Sequence, residues 1–355
     1  MSARSRLIWG VAILAAAAAA AVVLRLERIP RNVAYVSEED GEISVIDLRT
    51  LEVVKRVQPE NAAPRGLSLT LDGKYLFTAN KDTGDASVYS TRGLRLPMVQ
   101  RIPVGDNPEF VKSNPVGTRM FTSFEPGSTG GPPTEGGDSD EEQGPPSQVV
   151  EFSVPDWSRQ QSFTAGQQTE GLEFSADGKQ LVVANEAQNT LGVYDVESGK
   201  HLEDVDLGSI GKRPRGVKRS PNGNGYAVTM EGSGTLALLD ANFKVVRSAA
   251  TAAKPYGVAF DRSGKRIFVA AAGARKLQVF SAESLQQVAE APLGKRCWHF
   301  TFTPDDSKLL VACGRSNNVY VLDAQTLQTI KVLGGFRVPW GIVTYPRSYG
   351  SLGLP

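Results

Sequence analysis

Short apolar stretches separated by polar turns recur along most of the chain. The clearest copies of the unit read Pro-x-Gly, an apolar stretch, an Asp-Gly-Lys-like turn, a second apolar stretch ending in Ala-Asn, and a third ending in Asp. One copy starts at Pro64 and another at Thr169. Each stretch is short and alternates apolar with polar positions, which is typical of half-buried β-strands. No segment after residue 31 shows a helical period, so the pattern predicts an all-β protein.

The unit returns with a period in the low forties, and this spacing predicts a β-propeller in which each copy forms one four-stranded blade. The copy that begins at Ala34 lacks the Pro-x-Gly strand, and the chain supplies that strand near its end, at Pro339-Trp340-Gly341. Together the two ends complete one blade and leave no sheet edge open. We therefore predict seven blades over residues 32–345, closed by N- and C-terminal strands that share one blade, and a C-terminal tail over 346–355.

One interval between copies is longer than the others. The extra residues read EPGSTGGPPTEGGDSDEEQGPP, a composition rich in glycine, proline and acids with no apolar residue to pack. This composition predicts a disordered surface loop inserted over 125–147.

The first 31 residues differ from the repeats. Arg4 and Arg6 precede an uncharged apolar run over 7–24, which predicts a hydrophobic helix. This helix is either an export signal or an N-terminal membrane anchor, followed by a short linker. Both interpretations place the propeller in the periplasm, with membrane contact through this segment only.

The two cysteines fit that compartment. Cys297 and Cys313 flank one turn nearly symmetrically, so they form either a disulfide across a hairpin or a pair of half-buried thiols. No third ligand lies nearby in the sequence, and no metal site is predicted.

Composition excludes one class of function. The chain has 39 basic and 38 acidic residues, whereas a nucleic-acid-binding protein would carry a basic stripe. The sequence also lacks a nucleotide-binding loop, the G-x-S-x-G elbow, H-E-x-x-H and C-x-x-C-H. We expect a monomer that does not bind nucleic acid.

One residue of each innermost strand should lie at the same mouth of the central channel. The innermost strands begin at that mouth, so the residue between Pro and Gly occupies an equivalent place in every blade. Around the ring these residues are Trp340, Arg65, Glu109, Glu170, Arg215, Tyr256 and Trp298. Three consecutive aromatic residues thus face four charged ones, which predicts a binding site for a planar, partly anionic ligand. The alternative is that Arg65 pairs with Glu109 and Arg215 with Glu170 while the aromatic side chains fill the funnel.

His299 replaces the repeat glycine beside Trp298 and is a further candidate ligand or base. The sequence assigns no catalytic residue outright. If the protein is an enzyme, the candidate catalytic residues are Glu109, Glu170, Arg215 and His299. A glutamate would then be the base or a metal ligand, and Arg215 would bind a carbonyl or carboxylate group.

The repeats resemble the YVTN β-propeller repeat, through phrases such as Phe77-Thr78-Ala79-Asn80 and Val183-Ala184-Asn185. The final repeats, through Arg296-Cys297-Trp298-His299-Phe300, are most similar to propeller proteins associated with PQQ-dependent alcohol catabolism in bacteria. This resemblance implies a binding or accessory protein of periplasmic quinoprotein oxidation, which partners a dehydrogenase or cytochrome or carries a non-covalent quinone or haem-type ligand. The alternatives are a lactonase-type hydrolase and a haem-linked redox protein.

Overall fold

The protein is a closed ring of β-sheets around a central channel. The computed structural model describes residues 32–58, 62–127 and 144–354. Within these residues, the strands form seven four-stranded antiparallel sheets, and one turn of 3₁₀ helix, Gly314–Ser316, is the helical structure. The predicted seven-bladed propeller is therefore confirmed.

In every blade, the first strand named lies innermost, at the channel, and the fourth lies outermost. Blade 1 contains β28 (Pro339–Tyr345), β1 (Val33–Glu38), β2 (Glu42–Asp47) and β3 (Glu52–Val57). Blade 2 contains β4 (Pro64–Leu69), β5 (Tyr75–Asn80), β6 (Asp85–Ser90) and β7 (Met98–Pro103). Blade 3 contains β8 (Pro108–Ser113), β9 (Arg119–Phe124), β10 (Gln148–Ser153) and β11 (Arg159–Thr164). Blade 4 contains β12 (Thr169–Phe174), β13 (Gln180–Asn185), β14 (Thr190–Asp195) and β15 (His201–Asp206).

The remaining three blades repeat the same order without interruption. Blade 5 contains β16 (Pro214–Arg219), β17 (Gly225–Met230), β18 (Thr235–Asp240) and β19 (Val245–Ala250). Blade 6 contains β20 (Pro255–Phe260), β21 (Arg266–Ala271), β22 (Lys276–Ser281) and β23 (Gln287–Pro292). Blade 7 contains β24 (Cys297–Phe302), β25 (Lys308–Cys313), β26 (Asn318–Asp323) and β27 (Thr329–Gly334).

The two ends of the chain meet in blade 1. β1 pairs antiparallel with β28, and Val33 lies opposite Tyr345. The shared blade therefore closes the ring as the complementary sequence ends predict, and no strand edge is left open at the junction.

The repeat glycines allow neighbouring innermost strands to approach closely. A Cβ built on Gly171 would lie 2.6 Å from the carbonyl oxygen of Arg215 in the next blade. Cβ atoms on Gly66, Gly216 and Gly257 would also meet the carbonyl oxygen of the following blade's ring residue. Glycine at this place is therefore a packing requirement of the channel wall.

Burial falls from the channel outward, as expected for stacked sheets. The innermost strands β4 and β8 are buried along their whole length, whereas the outermost strand β7 is mostly exposed. Buried aromatic residues such as Phe77, Phe152 and Phe268 fill the space between blades.

Two predicted segments fall outside the described residues. The hydrophobic helix over 7–24 lies outside them, and so does most of the inserted loop, residues 128–143. Among the helices of the described ranges, none has the length and apolar character needed to cross a bilayer.

The C-terminal tail is not a free end. After β28 it turns back into the channel from the face opposite the mouth, where Leu352 is buried. The amide of Ser351 donates to the carbonyl of Phe300 at 2.9 Å, and Gly350 bridges to Thr301. The repeat pattern of the sequence does not predict this closure of the channel by residues 346–354.

Candidate functional site

The seven predicted ring residues are the second residues of the seven innermost strands, and all are buried at the mouth. The charged members separate into two clusters, one around Arg65 and one around Arg215. The two clusters adjoin at blades 3 and 4, so that the carboxylate of Glu109, in addition to burial, raises the pKa of Glu170.

The first cluster surrounds Arg65. Its guanidinium pairs with Glu109 and lies 2.6 Å from Oε1 of Glu39, and it also donates to Oδ1 of Asn107 at 3.2 Å. Burial alone would lower the pKa of Arg65, but the two carboxylates raise it above its usual value. Arg65 is therefore a fixed, fully ionised group.

The second cluster surrounds Arg215, which contacts three carboxylates. It pairs with Glu170, while Glu231 lies at 2.5 Å and Glu186 at 3.2 Å. Arg215 also donates to the Tyr256 hydroxyl at 3.3 Å, and its guanidinium carbon lies 4.9 Å from the centre of the Tyr256 ring. The pairings Arg65–Glu109 and Arg215–Glu170 are those that the alternative interpretation of the ring predicts.

Among the carboxyl groups of the described residues, Glu170 has the pKa that is raised most, which favours its neutral form. Its burial raises its pKa well above the usual range, Arg215 opposes this, and the carboxylates of Glu109 and Glu186 add to the rise. The Tyr256 hydroxyl donates to its second oxygen at 3.2 Å. The raised pKa makes Glu170 a stronger base than an exposed glutamate, which is the property that a general base needs.

A second ring, charged at five of its seven positions and not predicted as a set from the sequence, supports the first. It consists of the residue that follows the second strand of each blade: Glu39, Lys81, Glu125, Glu186, Glu231, Ala272 and Gly314. Glu186 is held by Arg213, and Glu231 by Arg296 at 3.3 Å. Aligning this repeat position, as was done for the residue after Pro, would have revealed the second ring.

The backbone fixes the rim on which these rings sit. The residue before each innermost strand has a positive φ between 43° and 58°: Ala63, Asn107, Gln168, Arg213, Lys254, Arg296 and Val338. In six blades its carbonyl accepts the amide of the second-ring residue, as in Glu186 to Gln168 at 3.0 Å. A residue other than glycine with a positive φ is strained and occurs only where surrounding contacts hold it. These hydrogen bonds therefore make the rim of the mouth rigid.

The aromatic members fill the funnel. The Trp298 ring covers Gly314, where any Cβ would overlap it, and the Trp340 ring centre lies 4.4 Å from that of His299. The cavity beneath them has a volume of about 10 Å³, the space of one water molecule. The presence of a planar quinone or haem-type ligand stays a prediction.

His299 does not have the properties of a base or an exposed ligand. It is buried among Phe110, Tyr256 and Trp340, and its Nδ1 lies 3.0 Å from the Ser351 hydroxyl of the tail. Burial, with Lys218 and Arg215 nearby, lowers its pKa to about 3. His299 is therefore a neutral packing residue of the channel at physiological pH.

The opposite end of the channel holds a buried charged cluster. Nζ of Lys112 lies 2.9 Å and Nζ of Lys218 lies 3.3 Å from Oε2 of Glu173. Both lysines also donate to the carbonyl of Gly353 in the tail, at 3.4 Å and 2.5 Å. The lysines lower the pKa of Glu173 to about 2, although burial alone would raise it. This cluster anchors the tail.

The cysteines lie beside the mouth. Cys297 and Cys313 are directly opposite each other on β24 and β25 and are joined by a disulfide. Among the residues that the structure describes, no group of three His, Cys, Asp or Glu side chains is placed to hold a metal ion.

Comparison with protein families finds a match to part of the chain. A family model described as lactonase, 7-bladed beta-propeller matches residues 148–247. That range contains Glu170, Arg215 and the supporting residues Glu186, Arg213 and Glu231. A comparison with curated proteins found no match.

Solved structures share the fold at low identity. A functionally unknown protein from Desulfotomaculum acetoxidans has a TM-score of 0.75 at 15% identity, covering 88% of this chain and 98% of its own. A periplasmic gluconolactonase from Pseudomonas aeruginosa has a TM-score of 0.72 at 17% identity, with the same coverage of 88% and 98%. A protein from Bacteroides fragilis that is described as a 6-phosphogluconolactonase has a TM-score of 0.71 at 16% identity. The match again covers 88% of this chain and 98% of that protein.

These comparisons correct the function expected from the sequence. The resemblance to proteins of PQQ-dependent catabolism implied a non-catalytic accessory role. That expectation is wrong, because the family model that matches the blades carrying the Arg215 cluster is a lactonase model. The findings favour the lactonase-type alternative.

Proposed function

We propose that the protein is a lactone hydrolase whose reaction takes place at the Arg215 cluster. The observation that carries the proposal is a buried glutamate with a raised pKa, Glu170, in direct contact with a fixed cation, Arg215, within the range that the lactonase model matches. Lactone opening needs these two groups: one that accepts a proton from water and one that stabilises the oxyanion.

In the proposed reaction, ionised Glu170 accepts a proton from a water molecule while the water oxygen bonds to the lactone carbonyl carbon. Arg215 donates hydrogen bonds to the oxyanion that forms on the carbonyl oxygen. As the intermediate collapses, the bond between the carbonyl carbon and the ring oxygen breaks. The proton on Glu170 then passes to that oxygen, and the product is a hydroxy acid.

The surrounding groups prepare these two residues for their roles. Burial alone would lower the pKa of Arg215, but the carboxylates of Glu170, Glu186 and Glu231 raise it well above its usual value, so that Arg215 stays protonated. Tyr256 fixes the second oxygen of Glu170. Burial raises the pKa of Glu170 most, and the carboxylate of Glu109 on the neighbouring blade adds to the rise and so makes Glu170 a stronger base.

The experiment is a turnover assay on a panel of aldonolactones, with acid release followed by a pH indicator and the buffer rate subtracted. Glu170→Gln should lower kcat/KM by about 10²- to 10⁴-fold, the range of a lost general base. Glu197 is exposed and forms an ion pair with Arg119, so Glu197→Gln is the matched control. This variant should leave turnover unchanged. The wild-type rate should rise with pH as Glu170 ionises. Absence of turnover across the panel, or full activity in a folded Glu170→Gln protein, would refute the proposal.

We also propose an extracytoplasmic location and a YVTN-type repeat. The disulfide between Cys297 and Cys313 supports the location, because such bonds persist in oxidising compartments. The basic and apolar residues before 31 support it independently. The repeat phrases around Asn80 and Asn185 support the second assignment.

A further inference from the structure

The face that carries the mouth is divided into a basic and an acidic half. Two kinds of loop open on this face: those between the second and third strands of a blade, and those between consecutive blades. The loops of blades 5 to 7, including the connection into blade 1, span 207–213, 231–234, 251–254, 272–275, 293–296, 314–317 and 335–338. They contain eight basic residues and one acid, Glu231.

Six of these basic residues have no acidic partner in the described parts of the chain. Arg213 and Arg296 pair with Glu186 and Glu231 and belong to the mouth. The other six form no ion pair, and five of them are exposed while Lys254 is half-buried. We call this set the basic crescent: Lys212, Lys254, Arg275, Lys295, Arg315 and Arg337.

The remaining loops of the same face have the opposite charge. Within their described residues they carry six acids, Glu39, Asp40, Asp82, Asp106, Glu125 and Glu186, and one base, Lys81. The chain as a whole has a formal net charge of only +1, so the charges are sorted on this face rather than in excess overall. A sorted face of this kind orients an approaching partner.

The basic crescent points to a partner with a confined acidic patch. The nearby rings of Tyr256, Trp298 and Trp340 are buried, so the crescent offers no exposed stacking surface for bases or sugars. A long, uniformly charged polyanion crossing the mouth would also meet the acidic half and be repelled there. A folded protein can present acids over the crescent and neutral or basic residues over the rest.

We infer that the basic crescent is a docking surface for an acidic protein, which binds beside the mouth over blades 5 to 7. Binding through exposed charges is screened by salt and depends on the position of the charges, not on their total. This inference does not depend on the proposed hydrolysis, since none of the six residues belongs to the Arg215 cluster.

The test measures the anisotropy of a fluorescein-labelled peptide of ten glutamates with the full chain. Raising NaCl from about 20 mM to about 300 mM should weaken wild-type binding by at least about tenfold. Lys212→Glu, Lys254→Glu and Lys295→Glu combined should cause a loss of similar size at low salt. Combining Lys200→Glu, Lys244→Glu and Lys265→Glu gives a matched control, because these lysines lie in turns on the opposite face, are exposed and form no ion pair in the described residues.

The control should bind as wild type does, although its net charge changes by the same amount. An equal loss in both triple variants, or no salt-sensitive binding by wild type, would overturn the docking surface. Heparin serves as the uniform polyanion: tighter binding of heparin than of the peptide, lost in the crescent variant, would assign the surface to an extended polyanion instead. Sedimentation velocity at low salt completes the test, because crescent-dependent dimers would make a second copy of this chain the occupant.

Discussion

The buried cluster at the closed end of the channel permits a quantitative prediction. Glu173 is 1% exposed and is the carboxylate nearest to both Lys112 and Lys218. Glu173→Gln keeps the size of the side chain but removes the carboxylate that faces both buried amines, and burial together with the neighbouring Lys112 already lowers the pKa of Lys218 well below its usual value. Breaking a buried ion pair in this way costs about 3–5 kcal/mol of unfolding free energy.

The pKa of Glu173 gives an independent magnitude. It falls from 4.5 to about 2 in the folded protein, which corresponds to about 3 kcal/mol of stability. Because the folded pKa is the lower one, this contribution is complete above pH 4.5 and is lost as the pH falls toward 2. The difference between wild type and Glu173→Gln should therefore be largest near neutral pH and shrink toward pH 2.

The assay is equilibrium urea unfolding of the full chain, followed by tryptophan fluorescence at several pH values. Adding Lys218→Met to Glu173→Gln removes one of the two buried amines left without a carboxylate and should recover about 2 kcal/mol. Glu197→Gln, at a surface ion pair, should change the stability by less than about 0.5 kcal/mol. A Glu173→Gln protein within about 1 kcal/mol of wild type at pH 7, or a difference that grows on acidification, would refute this account of the cluster.

Two further predictions concern the channel wall and the disulfide. Gly171→Ala places a Cβ 2.6 Å from the carbonyl oxygen of Arg215 and should lower the free energy of unfolding in urea by about 1–3 kcal/mol. Gly334→Ala is the control and should cost far less, because there is open space around Gly334. Equal losses of stability in the two variants would contradict the close approach of the strands. Replacing Cys297 and Cys313 by alanine opens a cross-link with a sequence separation of 16 and should cost about 2–3 kcal/mol. Reductant should lower the stability of the wild type by a similar amount and leave that of the double variant unchanged. A wild type whose stability is insensitive to reductant would count against the disulfide.

The repeat made the fold and the first ring predictable. A propeller places equivalent residues of each copy at equivalent points, so aligning Pro-x-Gly was enough to bring Arg65, Glu109, Glu170 and Arg215 to one mouth. The complementary ends, at Ala34 and Pro339, likewise predicted the shared blade. These features follow from local patterns that recur, and periodicity reports such patterns well.

The features that the sequence did not predict are those that do not repeat. The tail has no copy elsewhere in the chain, so nothing indicated that Ser351 and Gly353 would fill the channel. The pairs of Arg215 with Glu186 and Glu231 depend on side-chain contacts with two loops, which the spacing of Pro-x-Gly does not report. A ring of paired charges is compatible with both catalysis and simple packing, and the resemblance of the last repeats led to the accessory role that the comparisons contradict.

The antiparallel pairing of β1 with β28 also determines how the molecule can be attached to anything else. Because Val33 lies opposite Tyr345, the chain enters and leaves the ring at the same face, and this face is the one opposite the mouth. A tether attached ahead of Val33 therefore starts behind the molecule, whereas one attached after residue 354 would start from the tail that is held in the channel. Immobilised through the residues ahead of Val33, the protein would turn both the mouth and the basic crescent toward the solution, so this side suits a surface-based binding measurement.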